Sequence, residues 1–203
     1  FYRLYHVTAT HLKKHHPELQ VGGYGAVKFD AILPFVSEEH RQKFQGYVTW
    51  FHGFLDYIKE HGSPLDFFSW HIYTNRAPHV IERAERIKAA MDKNGYGNAE
   101  SILNEWNYVE GWTGDVFNYT IEQIIGLKGA AFALAVMCLS QKSDIIDMLM
   151  YYDARPGGMN GLFSTDLICN ILKGYYPFKM FNELYKLGTA VETVNDENVY
   201  ACA

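Results

Sequence analysis

The 203-residue chain has no excess of positive charge: 18 Lys and Arg stand against 23 Asp and Glu, for a net charge of -5. The basic residues are scattered, which leaves no electrostatic footprint for nucleic acid. Cysteine is scarce. Cys138, Cys169 and Cys202 are odd in number and far apart, so neither a disulfide framework nor a zinc ligand set is expected. That usage favours a reducing compartment, and the expected location is cytoplasmic. No apolar run is long: Ala130 to Leu139 is about half of the ~20 residues that cross a membrane, so no membrane partner is expected. No signal peptide is visible, but the chain starts at Phe1 without a methionine, and the absence says nothing about a parent protein. A Gly-x-Ser-x-Gly elbow and a His-x-x-x-His pair are also missing, and the glycines of Val21–Gly25 lack the lysine and spacing of a phosphate loop. No metal and no cofactor are expected.

Hydrophobic residues are plentiful at 48%, and aromatics at 16% include 15 Tyr and 13 Phe. That is enough apolar surface for a sizeable core built largely from ring packing. Periodicity orders it. Tyr2–His16 reads as a helix closed by Pro17, and Leu19–Tyr24 as a strand with glycines that permit close backbone approach. A loop over 28–36 leads to Ser37, an N-cap for a helix over 38–61, in which Phe44, Val48, Phe51, Leu55 and Ile58 recur at helical spacing. Asp66–Tyr73 is an aromatic strand, and Pro78 opens a helix that Gly95 ends. Ser101–Glu105 is the next strand, and Thr120 caps a helix to about Gln141 that is apolar nearly all round. Asp144–Asp153 holds a fourth strand, and a Gly-rich loop over 155–160 follows. Pro177–Leu187 is the last helix, and 190–194 with 199–202 reads as a hairpin turning at Asn195–Asn198.

Alternating strands and helices call for a parallel sheet with right-handed crossovers, an α/β fold. An eight-unit barrel needs about 250 residues, so four strand–helix units after a leading helix amount to half of one. The expected architecture is a partial TIM (β/α)8 barrel, strands five to eight, over residues 1–188. The start of an accessory β-sandwich domain is expected over 189–203.

The strand Ser101-Ile-Leu-Asn-Glu-Trp-Asn107 carries the strongest chemical signal. Ile102 and Leu103 belong in a sheet interior, whereas an ionised Glu105 there must be paired or used. A carboxylate at the C-terminal end of a barrel strand stands where such folds put their chemistry. Strand alternation puts His71 and Tyr73 on one face of the neighbouring strand and Tyr152 on the other side of Glu105. The plainer readings are a structural histidine, a hydrogen-bonded core phenol and a core tyrosine. His15-His16 and Glu38-Glu39-His40 fit solvated helix faces.

Several segments together resemble glycoside hydrolase family 39, which contains β-xylosidases and α-L-iduronidases. They are Leu19–Gly25 after a His-Pro-Glu helix end, Asp66-Phe-Phe-Ser-Trp-His-Ile-Tyr73, Ile102-Leu-Asn-Glu-Trp-Asn107 and Asn160-Gly-Leu-Phe163. The resemblance covers nearly the whole chain in the family's order, as the C-terminal half of its catalytic barrel. It implies that Glu105 is the nucleophile of a retaining glycosidase, with a β-xyloside as substrate. It also implies that His71, Tyr73, Asn104, Trp106 and Tyr152 line the sugar site, with Tyr73 bonded to the nucleophile. Tyr152 stands where relatives often carry Trp. The family's acid/base Glu, in an Asn-Glu-Pro-like segment, would precede Phe1. Retaining hydrolysis needs two carboxyls about 5–5.5 Å apart, and Glu110, Asp115 and Asp153 are the substitutes this chain offers.

The expected function is therefore that of a glycoside hydrolase fragment acting on carbohydrate, inactive by itself, that dimerises or pairs its open strand edges. Two other classes compete. One is a non-catalytic carbohydrate-binding module using Trp106, Tyr108 and Trp112. The other is a metal-dependent barrel hydrolase using His71, Glu105 and Asp153.

Overall fold

In a computed structural model, residues 1–28, 33, 36–155, 157, 159–194 and 199–203 are described. Ten elements follow one another: α1 (Tyr2–His15), β1 (Gly22–Ala26), α2 (Glu38–Glu60), β2 (Phe67–Thr74), α3 (Pro78–Asn94), β3 (Glu100–Tyr108), α4 (Gly114–Ile124), α5 (Leu127–Ser143), β4 (Met148–Tyr151) and α6 (Tyr175–Leu187). The strands form one parallel sheet in the order β1–β2–β3–β4, the order that sequential right-handed crossovers produce. The chain divides into two compact units, residues 1–72, 82–104 and 145–149 in the first and 73–81, 105–144 and 150–203 in the second. No single described helix is long and apolar enough to cross a membrane.

In the first unit the strand starts are tied in series. Asp66 N–H donates to Val21 O at 2.7 Å, Glu100 N–H to Asp66 O at 2.9 Å and Asp147 N–H to Ser101 O at 2.9 Å. Two of these aspartates reach back with their side chains: Val21 N–H donates to Asp66 Oδ2 and Ser101 N–H to Asp147 Oδ2, both at 2.7 Å. Burial works against the Asp66 carboxylate, but the Lys13 ammonium 2.8 Å away and the Val21 N–H hold its pKa below the ordinary value. The strand β2 alternates as its sequence predicts. Phe68, Trp70 and Ile72 are buried, with Phe68 packed on Phe51 of α2 at 5.3 Å and the Trp70 indole N–H donating to Ser101 Oγ at 3.0 Å. Phe54 of α2 takes Tyr5 and Tyr24 edge-on at 5.0 and 5.2 Å. Ser37 caps α2 by accepting from His40 N–H at 3.2 Å.

The second unit is built on Trp106 and Tyr108, both buried, with Phe132 of α5 at 6.3 and 5.7 Å. Tyr151 sets its ring edge against Trp106 at 5.4 Å and against Phe178 of α6 at 5.3 Å. Here one expectation fails: the helix over 120–141 is two helices, bent by 73° where α4 meets α5. Thr120 is not its cap. It lies buried inside α4, where its hydroxyl donates to Val116 O at 3.0 Å and accepts from Glu110 N–H at 3.0 Å. Thr113 and Gly126 are the residues that start α4 and α5. Gly161 permits the loop after β4 to close in, since a Cβ there would lie 2.7 Å from Ile124 O and from the Tyr151 hydroxyl. Val191 N–H donates to Ala203 O at 2.8 Å, a hairpin-type bond. The expected turn at 195–198, most of the loop expected over 28–36, and residues 156 and 158 lie outside the described residues.

Asn107 fixes the segment that follows β4. Its amide donates to Tyr152 O at 2.6 Å and to Met159 O at 2.8 Å, and its own oxygen accepts from Tyr108 N–H at 2.7 Å. Asn107→Ala strips both carbonyls of their donor, and leaving polar groups unpaired in a buried site costs about 1–3 kcal/mol each. Urea denaturation should show a loss of about 2–4 kcal/mol with an unchanged slope; a loss under about 0.5 kcal/mol would mean the loop is held by other contacts. A second expectation concerns alkali. Burial pushes the Tyr151 phenol from 10.0 up to about 12, and burial likewise raises Tyr5 and Tyr24. A pKa raised on folding means the neutral phenol stabilises the fold, fully below pH 10 and decreasingly up to about pH 12. Denaturant midpoints taken across that window should fall, with phenolate absorbance rising in step with unfolding; midpoints that stay flat would contradict the assignment.

Candidate active site

The second unit brings together side chains from the ends of three strands. The Tyr73 hydroxyl, at the end of β2, donates to Glu105 Oε1 on β3. Burial is the main reason the Tyr73 phenol is raised well above the ordinary tyrosine range. The bond to Glu105 and the charges of Glu105, Tyr152 and Asp153 push the same way. Tyr73 is therefore a permanent donor at neutral pH, and its bond orients the carboxylate. Glu105 is half-buried, which lets it hold a charge at a strand end.

Two aromatic rings flank Tyr73, and a third backs one of them. Tyr152 stands edge-on to Tyr73 at 6.4 Å and 86°. Trp112 meets Tyr73 edge-on at 5.0 Å, stacks on Phe117 at 6.2 Å and 18°, and is 57% exposed. An exposed indole backed by a second ring and set beside a carboxylate offers an apolar plate with polar groups at its rim, the arrangement small-molecule sites use. Tyr152 is positioned by main-chain bonds: its N–H donates to Trp106 O at 3.1 Å and its carbonyl accepts from Asn107.

Asp153 belongs to the same neighbourhood, since its charge acts on both Tyr73 and Tyr151. Its Oδ2 accepts from the exposed Arg155 at 3.1 Å, while Oδ1 is buried with no partner among the described residues. Strand alternation turns Asp153 away from Tyr152, but β4 ends at Tyr151. The period of two does not apply beyond it. Asn107 is the residue that the sequence reading of the site omits, whereas Trp112 entered it only as part of a binding module and Asp153 only as a substitute carboxylate or metal ligand. A loop rich in Trp, Gly and Asn was the signal for Trp112. The buried Asn107 carries a fold role that only its partners reveal.

The remaining expected residues divide as follows. Trp106 is buried against Phe132 and Tyr151, on the opposite side of β3 from Glu105, so its ring is part of the core. His71 and Asn104 belong to the first unit. His71 O accepts from Arg83 Nη1 at 3.1 Å, and Asn104 Oδ1 is buried with no partner among the described residues. Of the substitute carboxylates, Glu110 is engaged elsewhere: it accepts from Tyr108 at 2.5 Å and Asn75 at 3.1 Å, and the Tyr108 bond in particular holds its pKa below the ordinary value. Asp115 lies in the first turn of α4. Among the described residues no trio of His, Cys, Asp or Glu is grouped to hold a metal.

No family model matches the sequence. A β-xylosidase of Geobacillus stearothermophilus is 35% identical over 212 aligned positions, covering 91% of this chain and 37% of that protein. Among solved structures, a GH39 β-xylosidase from Caulobacter crescentus superposes with a TM-score of 0.60 at 18% identity, over 100% of this chain and 38% of its own. A GH39 enzyme from Xanthomonas axonopodis pv. citri gives 0.62 at 16% identity, over 90% and 36%. An α-L-arabinofuranosidase from Thermotoga maritima gives 0.61 at 20%, over 89% and 34%. At those identities the structural likeness is one of fold, a partial (β/α)8 barrel. The chain spans little more than a third of the length of the relatives it matches. By sequence the chain is similar to part of that β-xylosidase, and by fold to part of the solved glycosidases, a partial (β/α)8 barrel.

Proposed function

We propose that this chain supplies the nucleophile half of a retaining glycosidase acting on β-xyloside-type substrates, with Glu105 as nucleophile. The observation that carries the reading is the Tyr73–Glu105 pair at the strand ends, beside an exposed indole. In the reaction a Glu105 oxygen attacks the anomeric carbon, an ester forms between enzyme and sugar, and the aglycone oxygen leaves with a proton. Tyr73 holds the carboxylate in one orientation during the attack, so less of its freedom is lost at the transition state. The unpaired Asp153 Oδ1 is an acceptor suited to a sugar hydroxyl, and Trp112 with Tyr152 a stack for the sugar's apolar face.

The proton must come from a second carboxyl. A general acid at neutral pH needs a raised pKa. Among the described residues Asp66, Glu110 and Asp166 are held below the ordinary value, which unfits them for that role. Glu110 is engaged by Tyr108 and Asn75, and we propose that the acid/base carboxyl lies outside the described residues, so the chain by itself should leave aryl xylosides uncleaved. The β-xylosidase named above supports xyloside as the substrate class. The aromatic surface at Trp112 and Phe117 also suits a carbohydrate-binding role without catalysis, and calorimetry separates the two: xylo-oligosaccharide binding with no turnover in the longest natural protein containing the chain would favour that role.

In that longer protein, Glu105→Gln should lower kcat for an activated aryl xyloside by at least about 10³-fold, the scale on which loss of a reacting residue acts. Folding is checked by an unchanged melting curve, and a change under about tenfold would remove Glu105 from the chemistry. Tyr73→Phe deletes one hydrogen bond to a charged group, about 1.5–3 kcal/mol. It should lower kcat/KM by about 10–100-fold, whereas an unchanged kcat/KM would reduce Tyr73 to packing.

A further inference from the structure

Two of the three cysteines meet although 64 positions separate them: Cys138 Sγ on α5 lies 3.4 Å from Cys202 Sγ. Both are free thiols. Cys138 is buried and Cys202 half-buried. They line one cavity of about 680 Å³ with Leu134, Tyr176, Met180 and Lys179. The strand segment that carries Cys202 is held from the other side, where Thr193 Oγ1 donates to Ala201 O and Val191 N–H to Ala203 O, both at 2.8 Å. Cys169, in contrast, is exposed, in a turn where Asp166 Oδ1 accepts from its N–H at 2.9 Å.

We infer that Cys138 and Cys202 form a thiol–disulfide exchange site that takes low-molecular-weight disulfides such as glutathione disulfide and closes into an intramolecular cross-link. Closure requires the two sulfurs to approach from van der Waals contact to a bond length of about 2.05 Å, a movement within reach of side-chain rotation. The more accessible Cys202 reacts first. Its thiolate attacks one sulfur of glutathione disulfide, a bond forms between Cys202 Sγ and that sulfur, and one glutathione thiolate leaves and takes up a proton. Cys138 then gives up its proton, its sulfur attacks Cys202 Sγ, the Cys138–Cys202 bond forms and the second glutathione leaves protonated. Two protein thiols are oxidised and one small disulfide is reduced to two thiols. The order follows from the surroundings. Burial, with the hydrogen bond to Cys202 adding to it, pushes the Cys138 thiol up to about 12, so Cys138 is a poor first nucleophile but an adequate second one once the target sulfur is held against it.

The cross-link fastens the 199–203 segment to α5 and closes a long loop of chain, which limits the unfolded state. Its distinguishing property is that a neighbouring thiol resolves the mixed disulfide at Cys202. The test incubates the folded 203-residue chain with excess glutathione disulfide, quenches with acid and counts thiols in denaturant. The expected result is loss of the Cys138 and Cys202 thiols with no glutathione on either, any bound glutathione being confined to the exposed Cys169, a peptide map linking Cys138 to Cys202, and a higher melting temperature that dithiothreitol reverses. The Cys138→Ala chain should retain one glutathione on Cys202, and Cys169→Ala should cross-link at the parental rate. Three thiols persisting in the parent, glutathione remaining on its Cys202, or a link through Cys169 would each overturn the inference. Circular dichroism of Cys138→Ala confirms that the variant is folded. If it is not, the parent's peptide map alone decides.

Discussion

A carboxylate at the end of a buried strand has to be compensated, and in this chain the Tyr73 hydroxyl does so for Glu105. The pairing constrains both strands. β2 must deliver a side chain long enough to reach across and rigid enough to stay there, and a phenol meets both needs. β3 must stop its apolar run at Leu103 and still keep Trp106 inside, which the period of two allows because Glu105 and Trp106 face opposite ways. The same alternation puts Asn107 under the segment after β4, where its amide holds the carbonyls of Tyr152 and Met159. One nine-residue strand thus orders Glu105, the core beneath it and the loop beside it.

The electrostatics follow a common logic in the two units. Asp66 and Asp147 stand at strand starts in the first unit and accept from the preceding strand's backbone, which fixes register there. In the second unit Tyr73, Glu105 and Asp153 gather, and there the polar atoms are not fully matched: Asp153 Oδ1 has no partner among the described residues. Buried acceptors without donors cost stability.

Much of this was legible in the sequence. The helical spacing of Val48, Phe51, Leu55 and Ile58 and the two-residue period of Phe68, Trp70 and Ile72 mark buried faces that the structure has. Glu105 stood out because nothing local compensates its charge, and Tyr73 because polar residues seldom end so apolar a strand. The misses have physical causes. Gly126 breaks an apolar run that periodicity alone joins, since a helix and a helix pair have the same local pattern. Thr120 has the chemistry of a cap and spends it inside a helix turn. β4 ends at Tyr151, one residue before its apolar run does, so alternation does not carry on to orient Asp153. The Cys138–Cys202 contact joins residues too distant for any spacing rule, and only the packing of the 199–203 segment on α5 reveals it.

The role of Glu105 is open to direct chemical observation. A 2-deoxy-2-fluoro-xyloside with a good leaving group forms the glycosyl ester at normal geometry but slows its hydrolysis, so the intermediate accumulates and can be mapped by mass spectrometry. In the longest natural protein that contains this chain, the account predicts a single fluoroxylosyl adduct on the peptide carrying Asn104-Glu105-Trp106, linked through the Glu105 carboxyl. An adduct on Asp153 or on another carboxylate, or turnover of the unsubstituted xyloside with no covalent adduct at all, would contradict it.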